Sequence, residues 1–353
     1  MMTLQKFIAG LEIIPITTAW YLTEISESKG KQEFYTMQSP QRLNSLKEHA
    51  LIESAVSSNR IEGVEVEQKR IGTVIFGKSL LHDRSEEEVR GYREALNLIH
   101  TLGAKLPVTE ETCRKLHLLI RGEIWDAGKY KEKDSDIIEK RMDGTSSIRF
   151  RTVPAKQTPQ FMKQLHILWD DSLQEIKIHR VVAMAAYNLD FLCIHPFRDG
   201  NGRVSRLLML LQCYHAGIEV GRYVSLERLI EQNKERYYET LKLSSQGWHE
   251  GKHNPWHYIN FLCFIIRSAY KEFEERLEQM PQPRGEKTDI VKTAALNTSG
   301  DFSVADLQKK CPGVGIDMIR RVLKDLQAQG LIECLGRGRS AKWRKTVKLG
   351  NNR

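Results

Sequence analysis

Between Ile194 and Arg206 the chain reads Ile-His-Pro-Phe-Arg-Asp-Gly-Asn-Gly-Arg-Val-Ser-Arg. One imidazole, one carboxylate, a Gly-Asn-Gly turn and several arginines thus fall in a single short segment. An imidazole loses its proton near neutral pH and can serve as a general base. Pro196 lacks an amide hydrogen and disfavours helix in the residue before it, so a helix should end near His195. Gly200 and Gly202 permit positive φ, which lets consecutive amides turn inward as an anion-binding nest. Arg203 then opens a helix whose exposed amides and dipole favour negative charge. Arg203 and Arg206, three apart, point to one side and can reach one polyphosphate. Asp199 lies where a carboxylate can hold a magnesium ion bridging that polyphosphate.

The elements that must position this loop are readable on both sides. Apolar runs from Val181 to Cys193 and from Val204 to Cys213 predict two buried helices with the reactive groups between them. Far upstream, Leu51 to Ile61 contains no Gly or Pro and reads as helix, so Ser58 and Glu62 share a face at i, i+4. Gly63 is a natural stop just beyond it. A carboxylate presented there can pair with Arg206 by two parallel bonds and occupy its guanidinium.

The segment from His195 to Arg206 resembles the signature of Fic-domain proteins, His-x-Phe-x-(Asp/Glu)-Gly-Asn-Gly-Arg-x-x-Arg, at every defined position. Ser58-x-x-x-Glu62-Gly63 resembles the inhibitory motif of the class restrained by a helix preceding the core. The resemblance implies transfer of AMP from ATP to a Ser, Thr or Tyr hydroxyl of a protein, with pyrophosphate released. It further implies that His195 takes the hydroxyl proton and that Asp199 holds Mg2+. Gly200, Asn201 and Gly202 would cradle the α- and β-phosphates, with Asn201 also orienting the α-phosphate. Arg203 would neutralise the β-phosphate and Arg206 grip the γ-phosphate, while Phe197 anchors the loop in the core. Glu62 either only restrains the reaction or also activates a water that removes AMP. Ala127-Gly128-Lys129-Tyr130-Lys131 resembles the lead-in to the Fic flap, which makes Ser135 to Val153 a target-binding hairpin with a strand at Ser147 to Val153. Tyr237-Tyr238-Glu239-Thr240-Leu241 resembles a helix near the adenine pocket, where at most one of Tyr237 and Tyr238 should meet the base. Some relatives move phosphate, UMP or phosphocholine instead, and a nucleotide-sensing DNA regulator is the reading from a different class.

At 353 residues the chain is long enough for two or three domains, and helical spacing dominates from residue 40 to 280. The expected fold is mainly α, a Fic-type helical core with a small β-hairpin flap and a C-terminal winged helix-turn-helix domain. The expected boundaries are an N-terminal region at 1–100, the core at 101–280, a linker at 281–285 within Met280 to Gly285, and the winged helix at 286–353. No apolar run is long enough to span a membrane, and Glu12 and Pro15 interrupt the apolar N-terminus, which argues against a signal peptide. Six scattered cysteines without a Cys-x-x-Cys pair read as buried thiols in a reducing cytoplasm. His249-Glu250-Gly251-Lys252-His253 spells the zinc-protease pattern. Gly247, Gly251 and Pro255 break the helix that chemistry requires.

After Gly285 the pattern changes to short helices over Asp289 to Ala295 and Val304 to Lys310 and a longer one from Ile316 to Gln329. Strands Leu331 to Leu335 and Ala341 to Val347 follow, around a Gly336-Arg337-Gly338-Arg339 tip. From residue 281 onward fifteen Lys and Arg stand against seven Asp and Glu, nearly the whole excess of a chain of net charge +9. Arg320, Arg321 and Lys324 on the long helix, with Arg337 and Arg339 on the wing, are the candidate nucleic-acid contacts. The same domain serves equally for protein contacts or dimer formation. The partners compatible with this sequence are ATP, a protein substrate, DNA through the wing and a second copy of the chain, with no membrane.

Overall fold

The computed structural model describes residues 1–36, 40–77, 80–140, 145–174, 178–279, 286–298, 300–311, 313–336, 338 and 341–346. The described chain divides into two compact units, residues 1–30 with 45–277 and residues 31–44 with 278–353. The elements in order begin with α1 (Thr3–Ile8), α2 (Ile16–Thr36), α3 (Pro40–Ile61), α4 (Ile71–Phe76), α5 (Arg84–Leu102) and α6 (Glu110–Arg121). Strands β1 (Ile137–Lys140) and β2 (Ser146–Phe150) follow, then α7 (Thr158–Gln174), α8 (Arg180–Ile194) and α9 (Asn201–His215). The first unit closes with α10 (Leu226–Gln232), α11 (Lys234–Ser245) and α12 (Trp256–Gln279). The fold is mainly α, as the helical periodicity predicts.

Helices α8 and α9 form the centre of the first unit and pack on each other. Nearly every side chain of both is buried, polar ones included, so each is covered on all faces rather than amphipathic. The buried polar groups are spent on cross-ties. Asn188 donates to the Ser205 carbonyl (2.7 Å) and accepts from the Tyr258 hydroxyl (2.6 Å), joining α8, α9 and α12. Asp190, wholly buried, accepts from the amides of Thr3 and Leu4 and from the indole of Trp248, which pins the start of α1 to α8. Around this pair, α5 packs on α6 and both reach α9, while α7 covers α8. Asp83 and Thr109 cap α5 and α6 by accepting from the amides of Glu86 and Thr112.

Strands β1 and β2 pair antiparallel, with a bulge between Ile137 and Ile138. The hairpin stands where the sequence predicts one, but β2 stops at Phe150, short of the expected Val153. Beyond it Thr152 turns away to bond Ser135 and Lys131, and Val153 precedes a proline. Residues 141–144 lie outside the described part. The His249–His253 segment is a turn with Gly247 and Gly251 at positive φ. His249 contacts the Arg151 carbonyl and His253 the Thr3 hydroxyl, so the two rings have unrelated partners. Among the described residues no cluster of three metal-ligating side chains occurs.

The second unit carries α13 (Glu286–Asn297), β3 (Phe302–Ser303), α14 (Val304–Lys310), α15 (Ile316–Ala328), β4 (Ile332–Cys334) and β5 (Lys342–Lys345). Phe302 and Ser303, just ahead of α14, form an edge strand, giving an antiparallel sheet of order β3-β5-β4. Ser303 and Asp306 form a capping box that starts α14. Ile319, Val322, Leu323 and Leu326 of α15 join Phe302, Ile332 and Trp343 in one core. The linker at 281–285 and the wing residues Arg337 and Arg339 lie outside the described residues. Five of the six free cysteines are buried and Cys334 is half-buried. No helix among the described residues is long and apolar enough to cross a membrane.

Candidate active site

His195 caps α8 in the left-handed region, with φ of 53°, and is the one non-glycine residue at positive φ among those described. That conformation costs an ordinary side chain about 1–2 kcal/mol and turns the chain sharply out of the helix. The imidazole is half-buried and is pushed down to about 4 by burial, with Lys131 adding to the effect. At neutral pH it is uncharged and able to accept a proton.

The loop after His195 is held from inside. Phe197 is fully buried and its ring stacks on His117, with centroids 3.8 Å apart. Asn201 closes the turn on itself, accepting from the Phe197 amide (2.9 Å) and donating to the Phe197 carbonyl (2.7 Å). Its side chain therefore fixes the loop. Gly200 has φ of 79°, as the nest requires. Gly202 does not share that conformation. Helix α9 already starts at Asn201, and Gly202 is needed there because a β-carbon would overlap the Glu62 carboxylate. The helix thus opens two residues earlier than Arg203.

Arg203 and Arg206 are both 2% exposed, unusual for arginine, and each is held by specific acceptors. Arg203 donates to Glu88 Oε2 (2.6 Å) and to Asn59 Oδ1 (3.2 Å). Glu88 uses its other oxygen on Arg121 Nη1 (3.1 Å), and Arg121 in turn reaches Asp199 Oδ2 (2.5 Å). Asp199 also accepts from the Gly200 amide (2.6 Å). Burial pulls its carboxyl pKa upward, but Arg121 and Arg203 outweigh that and leave it lowered. The side chain is 57% exposed, an ionised carboxylate open to solvent. One such group suits a magnesium ion that takes its remaining oxygens from phosphate and water.

Arg206 meets α3. Its Nε donates to Ser58 Oγ (2.8 Å), and its Nη2 to the Ser58 carbonyl (2.9 Å) and to Glu62 Oε1 (2.8 Å). The pairing with Glu62 is single rather than the two parallel bonds expected, because Ser58 takes the Nε edge. Nη1 has no hydrogen-bond partner among the described residues. Burial works against the charge on Arg206, but Glu62, together with Tyr237 and Tyr92, outweighs it, so its pKa is raised. Gly63, at φ of 81°, ends α3 by donating to the Arg60 carbonyl.

A cleft of about 250 Å³ connects these parts, lined by Glu62, His195, Gly202, Tyr237 and Tyr238 and by Ile137 and Phe150 of the hairpin. Both tyrosines line it. Tyr237 is buried against Tyr258 and Phe261, whereas Tyr238 is more open and donates to the Ile61 carbonyl (3.3 Å). The structure thus brings together Glu62, His195, Gly202, Tyr237 and Tyr238 around one cleft, with Arg206 and Ser58 bonded behind Glu62 and Asp199 and Arg203 on the adjoining loop and helix. In the second unit Arg320, Arg321 and Lys324 are exposed on α15, Arg320 pairing with Asp317.

Glu88, Asn59, Arg121, His117 and Lys131 were not singled out as site residues from the sequence. His117 accepts from the Gly128 amide at Nδ1 (2.9 Å), which leaves Nε2–H to donate to the Asp199 carbonyl (3.1 Å). Its one available signal was position: Glu88, His117 and Arg121 fall on the inner faces of amphipathic helices where apolar residues belong.

Residues 107–213 match the family model for the Fic/DOC family, so the chain carries a Fic domain. Over 81 residues the chain is 40% identical to the protein adenylyltransferase Fic of Aedes aegypti, covering 22% of this chain and 15% of that protein. Over 215 residues it is 27% identical to the protein adenylyltransferase Fic of Drosophila virilis, covering 58% of this chain and 40% of that one. The chain thus spans well under half the length of these curated relatives. Among solved structures, a Fic family protein from Desulfovibrio desulfuricans G20 superposes with a TM-score of 0.61 at 22% identity, covering 96% of this chain and 98% of that one. A Fic domain containing signaling protein from Bacteroides thetaiotaomicron gives a TM-score of 0.61 at 19% identity, over 73% of this chain and 98% of that one. These likenesses establish the Fic fold.

Proposed function

We propose that this protein is a self-restrained protein adenylyltransferase, moving AMP from ATP to a Ser, Thr or Tyr hydroxyl of a protein. The observation that carries the reading is an uncharged imidazole, His195, lining the same cleft as Glu62, whose carboxylate holds the buried, charge-bearing Arg206, with Arg203 one helical turn away. His195 takes the hydroxyl proton as the oxygen bonds to the α-phosphorus. The bond from that phosphorus to the bridging oxygen breaks, and pyrophosphate leaves with the electron pair. Arg203 balances charge on the β-phosphate, and the α9 amides at Gly200 to Gly202 receive phosphate oxygens. Asp199 would hold a magnesium ion, which supplies further positive charge to the phosphates. Tyr238, the more open of the two tyrosines, is the better candidate to meet adenine.

Restraint comes from α3. While Glu62 holds Arg206 and lies over Gly202, the place for a γ-phosphate is taken. ATP then binds without its α-phosphorus in line. The second unit we read as a winged helix whose α15 surface contacts DNA or protein. Six free thiols fit a cytoplasmic setting.

The test is incubation of wild type, Glu62→Gly and His195→Ala with magnesium and ATP labelled at the α-phosphate, followed by mass analysis. Label should be weak in wild type, strong in Glu62→Gly and absent in His195→Ala despite retained ATP binding. Label persisting in His195→Ala would remove the proposed base. No label in any variant that still binds ATP would favour another donor or a nucleotide-sensing DNA regulator.

A further inference from the structure

Lys131 holds both peptide carbonyls that flank His195. Its main-chain amide donates to the Pro196 carbonyl (2.9 Å), and its Nζ donates to the Ile194 carbonyl (3.2 Å). The same Nζ donates to Thr152 Oγ1 (2.7 Å), and that hydroxyl donates to the Ser135 carbonyl (2.8 Å). Ser135 leads into β1 and Thr152 follows β2, so one ammonium joins both legs of the hairpin to the turn that carries the imidazole.

Two features make this placement hard to explain as ordinary packing. Lys131 is 5% exposed, its Nζ bonds neutral oxygens, and no carboxylate among the described residues forms an ion pair with it. Burying an ammonium in that way is costly. The cost is visible in its lowered pKa, pushed down to about 8 by burial, with Asp134 and Asp136 opposing. Second, His195 sits in the left-handed region, which persists only when the surroundings over-determine it. Holding the Ile194 carbonyl fixes the peptide plane that enters His195, and holding the Pro196 carbonyl fixes the plane one residue beyond it, past a proline whose ring locks φ.

We infer that Lys131 is the positioning residue for His195, clamping the turn at the residue before it and the residue after it and setting a positive charge beside the imidazole. This rests on the adenylyltransfer reading for its kinetic consequences but not for its geometry. The clamp aims the ring at the cleft, and the ammonium discourages its protonation. Other charged and titratable groups face the ring from the elements around it. Glu62 on α3 and Asp199 in the loop favour protonation. Asp136 and Arg149 beside the hairpin, and Tyr237 and Tyr238 on α11, complete the cleft lining.

The experiment uses the full chain carrying Glu62→Gly, with Lys131→Met or Lys131→Arg added. Two readouts are taken: transfer of label from α-labelled ATP, and titration of the His195 ring by NMR, assigned from its loss in His195→Gln. Lys131→Met should lower kcat about 10- to 100-fold while KM for ATP stays within about twofold, the pattern of lost alignment rather than lost binding. The ring's titration midpoint should rise from near 4 by about one unit or more toward the ordinary histidine value. Lys131→Arg, which keeps charge and donors, should recover most of both. An unmoved midpoint in Lys131→Met would overturn the inference, as would kcat and KM deteriorating together without rescue by Arg. If the Glu62→Gly parent carries no label, the adenylyltransfer reading fails, and the ring titration still decides the role of Lys131.

Discussion

Replacing Glu62 tests how the restraint is built. The Arg206 Nη2 to Glu62 Oε1 bond is 2.8 Å long, with Arg206 almost fully buried and the Glu62 side chain 31% exposed. A hydrogen bond between charged groups is worth about 1.5–3 kcal/mol, and solvent access on the Glu62 side places this one at the lower end. At about 1.4 kcal/mol per tenfold, releasing Arg206 should raise the rate of AMP transfer about 10- to 30-fold in Glu62→Gly. Glu62→Gln keeps a neutral bond worth about 1 kcal/mol and should reach only about a fifth of the Glu62→Gly rate. Ser58 matters to the argument, because its Oγ and carbonyl continue to hold Arg206 when Glu62 is gone. The guanidinium stays held on Ser58 behind Gly202, with Nη1 and part of Nη2 available to a γ-phosphate. The assay is the initial rate of α-label incorporation at saturating ATP, run beside thermal melting with and without ATP. Glu62→Gly leaves a buried charge unpaired, so its melting temperature should fall and recover when ATP supplies the missing anion. Gln matching Gly in rate would show that the bulk and bond of Glu62 contribute nothing beyond its charge. Both variants within twofold of wild type would refute the idea that Arg206 is the restrained group.

Two further outcomes follow from the same structure. His100, His117, His166, His195 and His253 are all pushed down, to between about 3 and about 4, chiefly by burial. The unfolded chain binds their protons near pH 6.5 and the folded chain does not, so this stability is complete above 6.5 and lost as pH falls toward 4. Each contributes about 1.4 kcal/mol per pH unit in that window, opposed only by groups such as Asp190, whose pKa burial raises. The urea midpoint should drop steeply between pH 6.5 and 5, and a flat profile there would mean that these rings titrate normally. Separately, Arg320→Ala, Arg321→Ala and Lys324→Ala combined should flatten the salt dependence of DNA binding by about two to three counterions. An unchanged slope would move nucleic-acid contact off α15.

What the sequence made legible is uneven, and the unevenness has a physical cause. The segment from His195 to Arg206 and the pair Ser58 and Glu62 were visible because their chemistry depends on local spacing: a turn that needs Gly200, a helix start, an i, i+4 face. Gly202 shows where that logic misdirects. Read alone it is a flexible turn residue, yet it sits in a helix, and its lack of a side chain matters because Glu62, 140 positions earlier, fills the space. Phosphate-facing Asn201 likewise turns out to spend its amide on the Phe197 backbone. Glu88, Arg121, His117 and Lys131 were harder still, since each acts through a partner distant in sequence. Glu88 serves Arg203 across 115 residues, and Lys131 serves the turn around His195 across more than sixty. No periodicity marks such residues except as charges on faces that ought to be apolar. That exception is usable. A buried ion costs several kcal/mol unless compensated, so a charged residue at a core position of an amphipathic helix points to a partner elsewhere in the chain. Here the chain Glu88–Arg121–Asp199, branching to Arg203, ends on an exposed, ionised carboxylate. The core is therefore wired outward to the loop, and the groups that fix the reactive residues lie where sequence reading expects only packing.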